Sequence, residues 1–374
     1  MTRKPRLRIL HLFSGLTAEG DEARAVQLIN AFGPACEHGI VSGSGDTLGG
    51  IDRGICATVA DDFPRLQGRV TPGRLQRMAR AMVGHDLVLT YGYGAMAAAL
   101  AQTMLGGTMP LPPLVHHEDA DEPEASSLRN WYRRIALGRA SALVVPSRRL
   151  AAIAVKRWHQ PQGRVQRIAP GIRTAAYAAK PRRDALPRVI KREGELWLGT
   201  MDHAASPQDL TGLVRAFAAL PDPWHLVILG DGPHQGAVRD EALRLGLAHR
   251  VHLPGKVAEP AKVLGLFDLF ALLPGSGEFP IGAVAAMAAG LAIAASDGAD
   301  IKELLAPENR PFVVDAHNQN GFADMLRTLA ETPGLRASVG AANRALARAE
   351  YDQAAMIAAY RAVYGAALGR NGFP

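Results

Sequence analysis

At 374 residues the chain is longer than one hydrophobic core usually serves, and two domains of roughly 170 to 190 residues are expected. Its 48% hydrophobic and 21% charged residues suit an ordinary globular protein rich in Ala, Gly and Arg, and its only cysteines, Cys36 and Cys56, suit a reducing cytosol without excluding a disulfide. The net charge of +7 is uneven, with 26 Lys and Arg against 15 Asp and Glu in residues 1–190 and 16 against 20 in residues 191–374; without a helix-turn-helix, zinc-finger or RNP-like motif, nucleic acid is not an expected partner.

The N-terminus, MTRKPRLRILHLF, follows its basic residues with only about five apolar ones, too few for the apolar region of a signal peptide. No run reaches the ~20 apolar residues of a spanning helix. Leu7–Phe13 reads as the first strand of a parallel sheet, followed by a loop over 14–20 and a helix over 21–32 with Val26, Ile29 and Phe32 on one face. Short strands are expected at 39–42 and 55–59. Residues 72–82 read as a basic amphipathic helix with Arg74, Arg77 and Arg80 in register, either a solvated face or a contact for acceptor phosphate or membrane. A buried strand over 86–91 leads into Gly92-Tyr93-Gly94 and an Ala-rich helix over 95–105. The stretch PLVHHEDAD, 113–121, puts His116 and His117 where a strand meets a loop. A metal set from His116, His117, Glu118 and Asp119 is disfavoured, because adjacent side chains on an extended segment face opposite ways and no spaced third ligand is visible. A basic aromatic helix over 129–137 and a strand over 142–147 follow.

Residues 181–193 are charged, hold prolines and lack a period, and read as the interdomain linker between 1–180 and 194–352. Trp224–Pro233, WHLVILGDGP, is a strand running into Gly230-Asp231-Gly232, a turn suited to opening on a ligand. Leu269–Leu273 reads as a buried strand ending in a Gly-rich loop, Pro274-Gly275-Ser276-Gly277. Ile281–Ala289 reads as a small-residue helix closed by Gly290, and Leu291–Ala295 as the next parallel strand. Since parallel sheets bind ligands at the carboxyl ends of their strands, the loop at 275–280 is the predicted site. A last helix from Gln353, within 353–374, is expected to cross back to the N-terminal domain.

The stretch from Ser276 to Gly290 resembles the donor signature of GT-B glycosyltransferases of the retaining family 4 type, Ser-Glu-Gly-Phe-Pro, four residues, then Glu-Ala-Met-Ala-Ala-Gly. Ser276, Phe279, Pro280, Ala286, Met287, Ala288, Ala289 and Gly290 match. Gly277 stands where the first Glu is expected, with Glu278 one place later, and Ala285 stands at the second. In the family these acids contact the donor sugar and the ribose. The resemblance implies an α/β fold of two Rossmann-like domains facing a central cleft. It also implies transfer of a sugar, with retention, from a UDP- or GDP-sugar to a glycan or lipid-linked acceptor, with no obligatory metal or cofactor. The implied catalytic residues are Glu278 and His116 or His117, one of which would contact the donor sugar; the other reading of the pair is structural hydrogen bonding. Donor binding falls to the backbone at Gly275, Ser276, Gly277, Phe279, Pro280 and Ile281, with Ala285, to Gly230-Asp231, and to Lys256-Val257, whose segment VHLPGKV resembles the one framing the nucleotide base.

Three further positions depart from the family pattern. Glu19-Gly20 replaces a Gly-Gly pair, Thr200 follows Gly199 where Arg is usual, and Gln208 stands for a Lys. Losing both phosphate cations weakens donor binding roughly 10²- to 10⁴-fold unless His203, Lys256 or Lys262 substitutes. Two function classes therefore stand side by side: an active transferase, and a non-catalytic relative serving as a binding or partner subunit. The expected location is cytoplasmic, with peripheral contact of the basic half at the inner face of the plasma membrane as one option and a merely solvated Arg-rich surface as the other.

Overall fold

The computed structural model describes residues 6–13, 21–43, 49–119, 127–201, 206–273, 279–298 and 301–374. The chain divides into two compact units, Met1–Pro170 with Met356–Pro374, and Gly171–Ala355.

The first unit runs β1 (Leu7–Phe13), α1 (Asp21–Phe32), β2 (Cys36–Ser42), β3 (Cys56–Val59), α2 (Pro72–Met82), β4 (Leu87–Tyr91), α3 (Met96–Leu105), β5 (Leu114–His117), α4 (Ser127–Ala136), β6 (Ala142–Val145), α5 (Arg148–Lys156) and β7 (Val165–Arg167). Its strands form a parallel sheet in the order β3-β2-β1-β4-β5-β6-β7. Central strands covered on both faces need continuous apolar runs, and Ile9, Leu10, Leu12 and Phe13 supply one, all buried. Helix starts are marked by caps: Thr71 Oγ1 accepts from the Arg74 N–H with Pro72 next in line, and Ser147 Oγ accepts from the Leu150 N–H.

The second unit runs β8 (Leu196–Met201), α6 (Pro207–Phe217), β9 (Trp224–Leu229), α7 (Gln235–Arg244), β10 (Val251–Gly255), β11 (Leu269–Leu272), α8 (Ile281–Ala289), β12 (Ile293–Ser296), α9 (Ile301–Leu304), β13 (Val313–Val314), α10 (Gln319–Glu331) and α11 (Pro333–Glu350). Its parallel order is β10-β9-β8-β11-β12-β13. In both sheets the winding reverses after the first strand, between β1 and β4 and between β8 and β11, which creates the crevice at the carboxyl ends where such sheets bind ligands. A final helix, α12 (Gln353–Ala367), buries Met356, Tyr360 and Tyr364 in the core of the first unit. Among the described residues no helix is long and apolar enough to cross a membrane.

The division falls at Pro170 rather than at the expected 180, because Ile172 bridges Asp352 and exchanges backbone hydrogen bonds with Tyr351 and Gln353. The charged segment 181–193 is also tied to the second unit: Lys191 Nζ donates to Asp268 Oδ2 and to the Leu266 carbonyl, each at 2.6 Å.

Close packing depends on small residues where β8 meets β11. A Cβ on Gly199 would stand 2.1 Å from the Phe267 ring, so no larger residue fits there. Gly199→Ala is expected to cost about 1–3 kcal/mol by overpacking, read from urea unfolding, with part of the loss restored by adding Phe267→Leu.

The core of the first unit contains a polar chain. His11 Nε2 lies 2.9 Å from His38 Nδ1, and His11 Nδ1 lies 3.1 Å from the Tyr91 hydroxyl. His117 Nδ1 donates to the Thr90 carbonyl at 3.1 Å, so its neutral ring accepts at Nε2 from the Tyr364 hydroxyl, 2.9 Å away on α12. Burial pushes His38 down to about 4 and His117, with Arg24 nearby adding to the effect, to about 3; burial likewise holds His11 well below its usual 6.5. Below about pH 6.5 the unfolded chain takes up protons that the folded one refuses, so stability is full above that pH and falls as pH drops toward 4, by up to ~1 kcal/mol per pH unit for each histidine. Urea midpoints across this window check it, and a chain carrying His11→Gln with His38→Gln is expected to show a flatter dependence.

Candidate functional site

In the second unit, the crevice between β8 and β11 is bordered by Met201 at the end of one strand and by the start of α8 beyond the other. These approach closely: a Cβ on Gly282 would lie 3.2 Å from Met201 Sδ. The amino terminus of α8 has no side-chain cap and no acidic residue in its first turn. Within that turn the Ile281 N–H donates to the Phe279 carbonyl and those of Ala283 and Val284 to the Pro280 carbonyl, which leaves the Gly282 N–H and the positive end of the helix to face an anion. Phe279, just before it, has its ring 6.1 Å from that of Tyr351. Ile281 is exposed, whereas Ala285 is buried on the core face of the helix.

The other end of α8 is fixed from behind. Gly290 adopts φ 81° and closes the helix, and a Cβ on Gly340 of α11 would stand 2.1 Å from the Gly290 carbonyl oxygen. Buried Asn343 donates to the Leu291 carbonyl at 2.8 Å and to Asn309 Oδ1 at 2.7 Å, while Asn309 both donates to and accepts from the backbone of Ile293.

The neighbouring strand ends are cross-linked. Asp231 Oδ1 accepts from the Lys256 N–H at 2.9 Å, and the Gly230 N–H donates to the Gly255 carbonyl at 3.0 Å. Gly255 has φ 90°, and a Cβ there would meet Asp231 Oδ1 at 2.8 Å. The Lys256 side chain is exposed, and its ammonium makes no ion pair among the described residues; Val257 is half-buried. Lys262, by contrast, is paired with Glu259. At the start of α6, Ser206 and Asp209 form a capping box: the Asp209 N–H donates to Ser206 Oγ at 3.2 Å, and Asp209 Oδ2 accepts from the Ser206 N–H at 3.1 Å. The helix end that carries Gln208 is therefore already served by a carboxylate, and Gln208 itself is exposed and neutral.

Of the residues singled out from sequence, Gly199, Thr200, Gln208, Gly230, Asp231, Lys256, Val257, Phe279, Pro280, Ile281 and Ala285 belong to this unit. Thr200 is 1% exposed, inside β8, so the strand mouth is formed by Met201 instead. Gly20, Gly275, Ser276, Gly277 and Glu278, with Glu19 and His203, lie outside the described residues. His116 and His117 are in the first unit and within β5, not in the loop beyond it, and neither has exposed surface. They face opposite ways, as the pleat requires: His117 toward α12, and His116 toward Thr90 Oγ1 at 2.8 Å, with its Nε2 3.9 Å from Glu118. Glu118 in turn accepts from buried Arg133 Nε at 3.2 Å. Among the described residues no three His, Cys, Asp or Glu side chains group as a metal site. Sequence reasoning missed the Ser206 cap, whose signal is Ser-x-x-Asp ahead of an apolar run, and Met201, which carries no signal.

Two family models take up most of the chain: Glycosyltransferase Family 4 over residues 9–176, and glycosyl transferases group 1 over residues 184–346. A D-inositol 3-phosphate glycosyltransferase from Xylanimonas cellulosilytica is 26% identical over 255 residues, which is 62% of this chain and 58% of that protein, so the match spans little more than half of the relative. Among solved structures, HepE of Anabaena in complex with UDP aligns with a TM-score of 0.76 at 19% identity, covering 96% of this chain and 100% of that one. A glycosyltransferase from Rickettsia africae aligns with a TM-score of 0.78 at 15% identity, covering 97% and 99%. With the two glycosyltransferase models together matching residues 9–176 and 184–346 and both solved structures aligned over nearly the whole chain, the chain belongs to the family 4 (group 1) glycosyltransferases of the GT-B fold.

Proposed function

We propose that the chain transfers a sugar, with retention, from a nucleotide-sugar to a glycan or lipid-linked acceptor. The observation that carries this reading is the uncapped, acid-free amino terminus of α8 at the β8/β11 crevice, beside the cross-linked ends of β9 and β10. On this reading the donor diphosphate lies at the amino terminus of α8, against the Gly282 N–H and the loop 275–280 that precedes the helix in the sequence. Lys256 supplies the remaining cation, and Val257 borders the base. Asp231 acts by holding the Lys256 backbone in place. Glu278, the acid that the sequence supplies next to the altered donor-signature position, is assigned the contact with the donor sugar. His116 and His117 act through the strand they brace and touch no substrate, since both are buried and hydrogen-bonded. Catalysis then rests on positioning and on stabilising the leaving diphosphate, with no metal required. UDP is the first donor to test, because the Anabaena structures hold UDP and UDP-glucose.

One observation favours a second reading, a GT-B subunit that binds without transferring. The helix end bearing Gln208 is capped by Asp209, which opposes a phosphate there. Calorimetric titration with UDP, GDP, ADP and UDP-sugars at low salt separates the two. Micromolar binding of one nucleotide is expected for the transferase, and its absence at millimolar nucleotide sinks that reading. Lys256→Ala is expected to weaken nucleotide binding about tenfold or more, and Gln208→Lys to tighten it by a similar factor, the scale of one charge-assisted contact.

A further inference from the structure

Leu128 and Trp131 stand one turn apart on α4, 77% and 61% exposed. The chain's other tryptophans, Trp158, Trp197 and Trp224, are buried to 2% or less. Arg134 continues the same outward stripe. The inner side of α4 is fixed: Arg133 lies between the rings of Tyr93 and Trp158, at 4.7 and 4.9 Å, and is paired with Glu118. The Trp158 indole N–H donates to Asn130 Oδ1 at 2.9 Å, which brings the carboxyl end of α5 beside α4. Lys156 and Arg157 are exposed there, at the end of a shallow groove that also takes in Ile153. Arg134, Lys156 and Arg157 make no ion pair among the described residues.

The basic face expected on α2 is not equivalent. Arg74 is 9% exposed and spends its guanidinium on the carbonyls of Arg65, Leu66, Gly68 and Arg69, and the exposed apolar side chain beside Arg80 is Val83 at the carboxyl cap, 39% exposed, smaller and less exposed than either Leu128 or Trp131.

We propose that the outer face of α4, with the carboxyl end of α5, is a docking surface for an anionic lipid bilayer. The apolar pair stands exposed on the outer face of α4, which suits insertion among lipid chains, and an indole prefers the headgroup level. The cations beside it complement lipid phosphates. Asp121, Glu122 and Glu124 precede α4 in the sequence, so the apolar pair and the cations are both needed. The proposal stands apart from the transferase reading, because vesicle binding is measured without donor or acceptor.

The test sediments the full chain with vesicles of pure phosphatidylcholine and with vesicles containing about one third phosphatidylglycerol, and follows tryptophan emission. Binding to the anionic vesicles, weakened by salt, is expected, with a blue shift and quenching by brominated lipid; Trp131, the exposed indole, reports it. Leu128→Ser with Trp131→Ser is expected to lower partitioning on the order of tenfold, and Arg134→Gln or Arg157→Gln about fivefold each. Arg77→Gln with Arg80→Gln leaves binding unchanged. These positions are exposed, and an unshifted thermal melt shows that each variant is folded. The proposal is overturned by absence of binding, by equal binding to neutral vesicles, by full binding of the Leu128/Trp131 variant, or by an oligonucleotide that binds the same surface more tightly than the vesicles do.

Discussion

The contact between Gly199 and the Phe267 ring sets the geometry on which the second unit depends. With no side chain on that residue of β8, the aromatic ring occupies the space a Cβ would take, and β11 pairs with β8 through Leu198 and Gly199. Two more glycine contacts fix α8: Gly282 against the Met201 side chain at its start and Gly290 against Gly340 at its end. A helix held at both ends by contacts that only glycine allows has little freedom to shift, and the buried Asn309–Asn343 pair adds to this by bonding the segment after it. Rigidity of this kind matters because an anion-binding helix end works only if its N–H groups are already aimed.

The two units solve the same architectural problem with different chemistry. The second fills its core with Leu, Val, Phe and Trp from α6, β8, β9 and α10. The first adds histidine and tyrosine: Phe13 and Tyr91 stack at 4.2 Å, Tyr91 and His117 at 4.6 Å, and both ring nitrogens of His11 and of His117 have hydrogen-bond partners. Unmatched, each buried polar ring would cost about 1–3 kcal/mol. Matched, they specify one seating for α12, since a slip along the helix would move the Tyr364 hydroxyl away from His117.

Much of the fold was legible because its signals are local. The apolar run Leu7–Phe13 and the small-residue run Ile281–Ala289 with Gly290 behind it each have a period, a length and a stop that one segment supplies by itself. What escaped depends on residues far apart in sequence. Arg74 sits at helical spacing with Arg77 and Arg80 and so reads as solvated, but the carbonyls of 65–69 reach it through the fold. His116 and His117 next to acidic residues read as a loop-edge site; their partners at Thr90 and Tyr364 lie 26 and 247 positions away. The domain boundary shifted for the same reason, since Ile172 finds Asp352. The Gly-rich loop itself, with Glu278, lies outside the described residues, so the site was legible in its frame more than in its centre.

The seating of α12 has a consequence for how the protein is made. Synthesis delivers β1 to β7 first, yet the apolar and aromatic face formed by Phe32, Tyr91 and Val115 is covered by Tyr360 and Tyr364, which are translated only after the whole of Gly171–Ala355. The first unit therefore leaves the ribosome with an uncovered hydrophobic face and must hold it while the second unit folds. Completion of the fold is a closing step in which the last helix returns to the earliest strands, and loss of that helix exposes the same face in the finished protein.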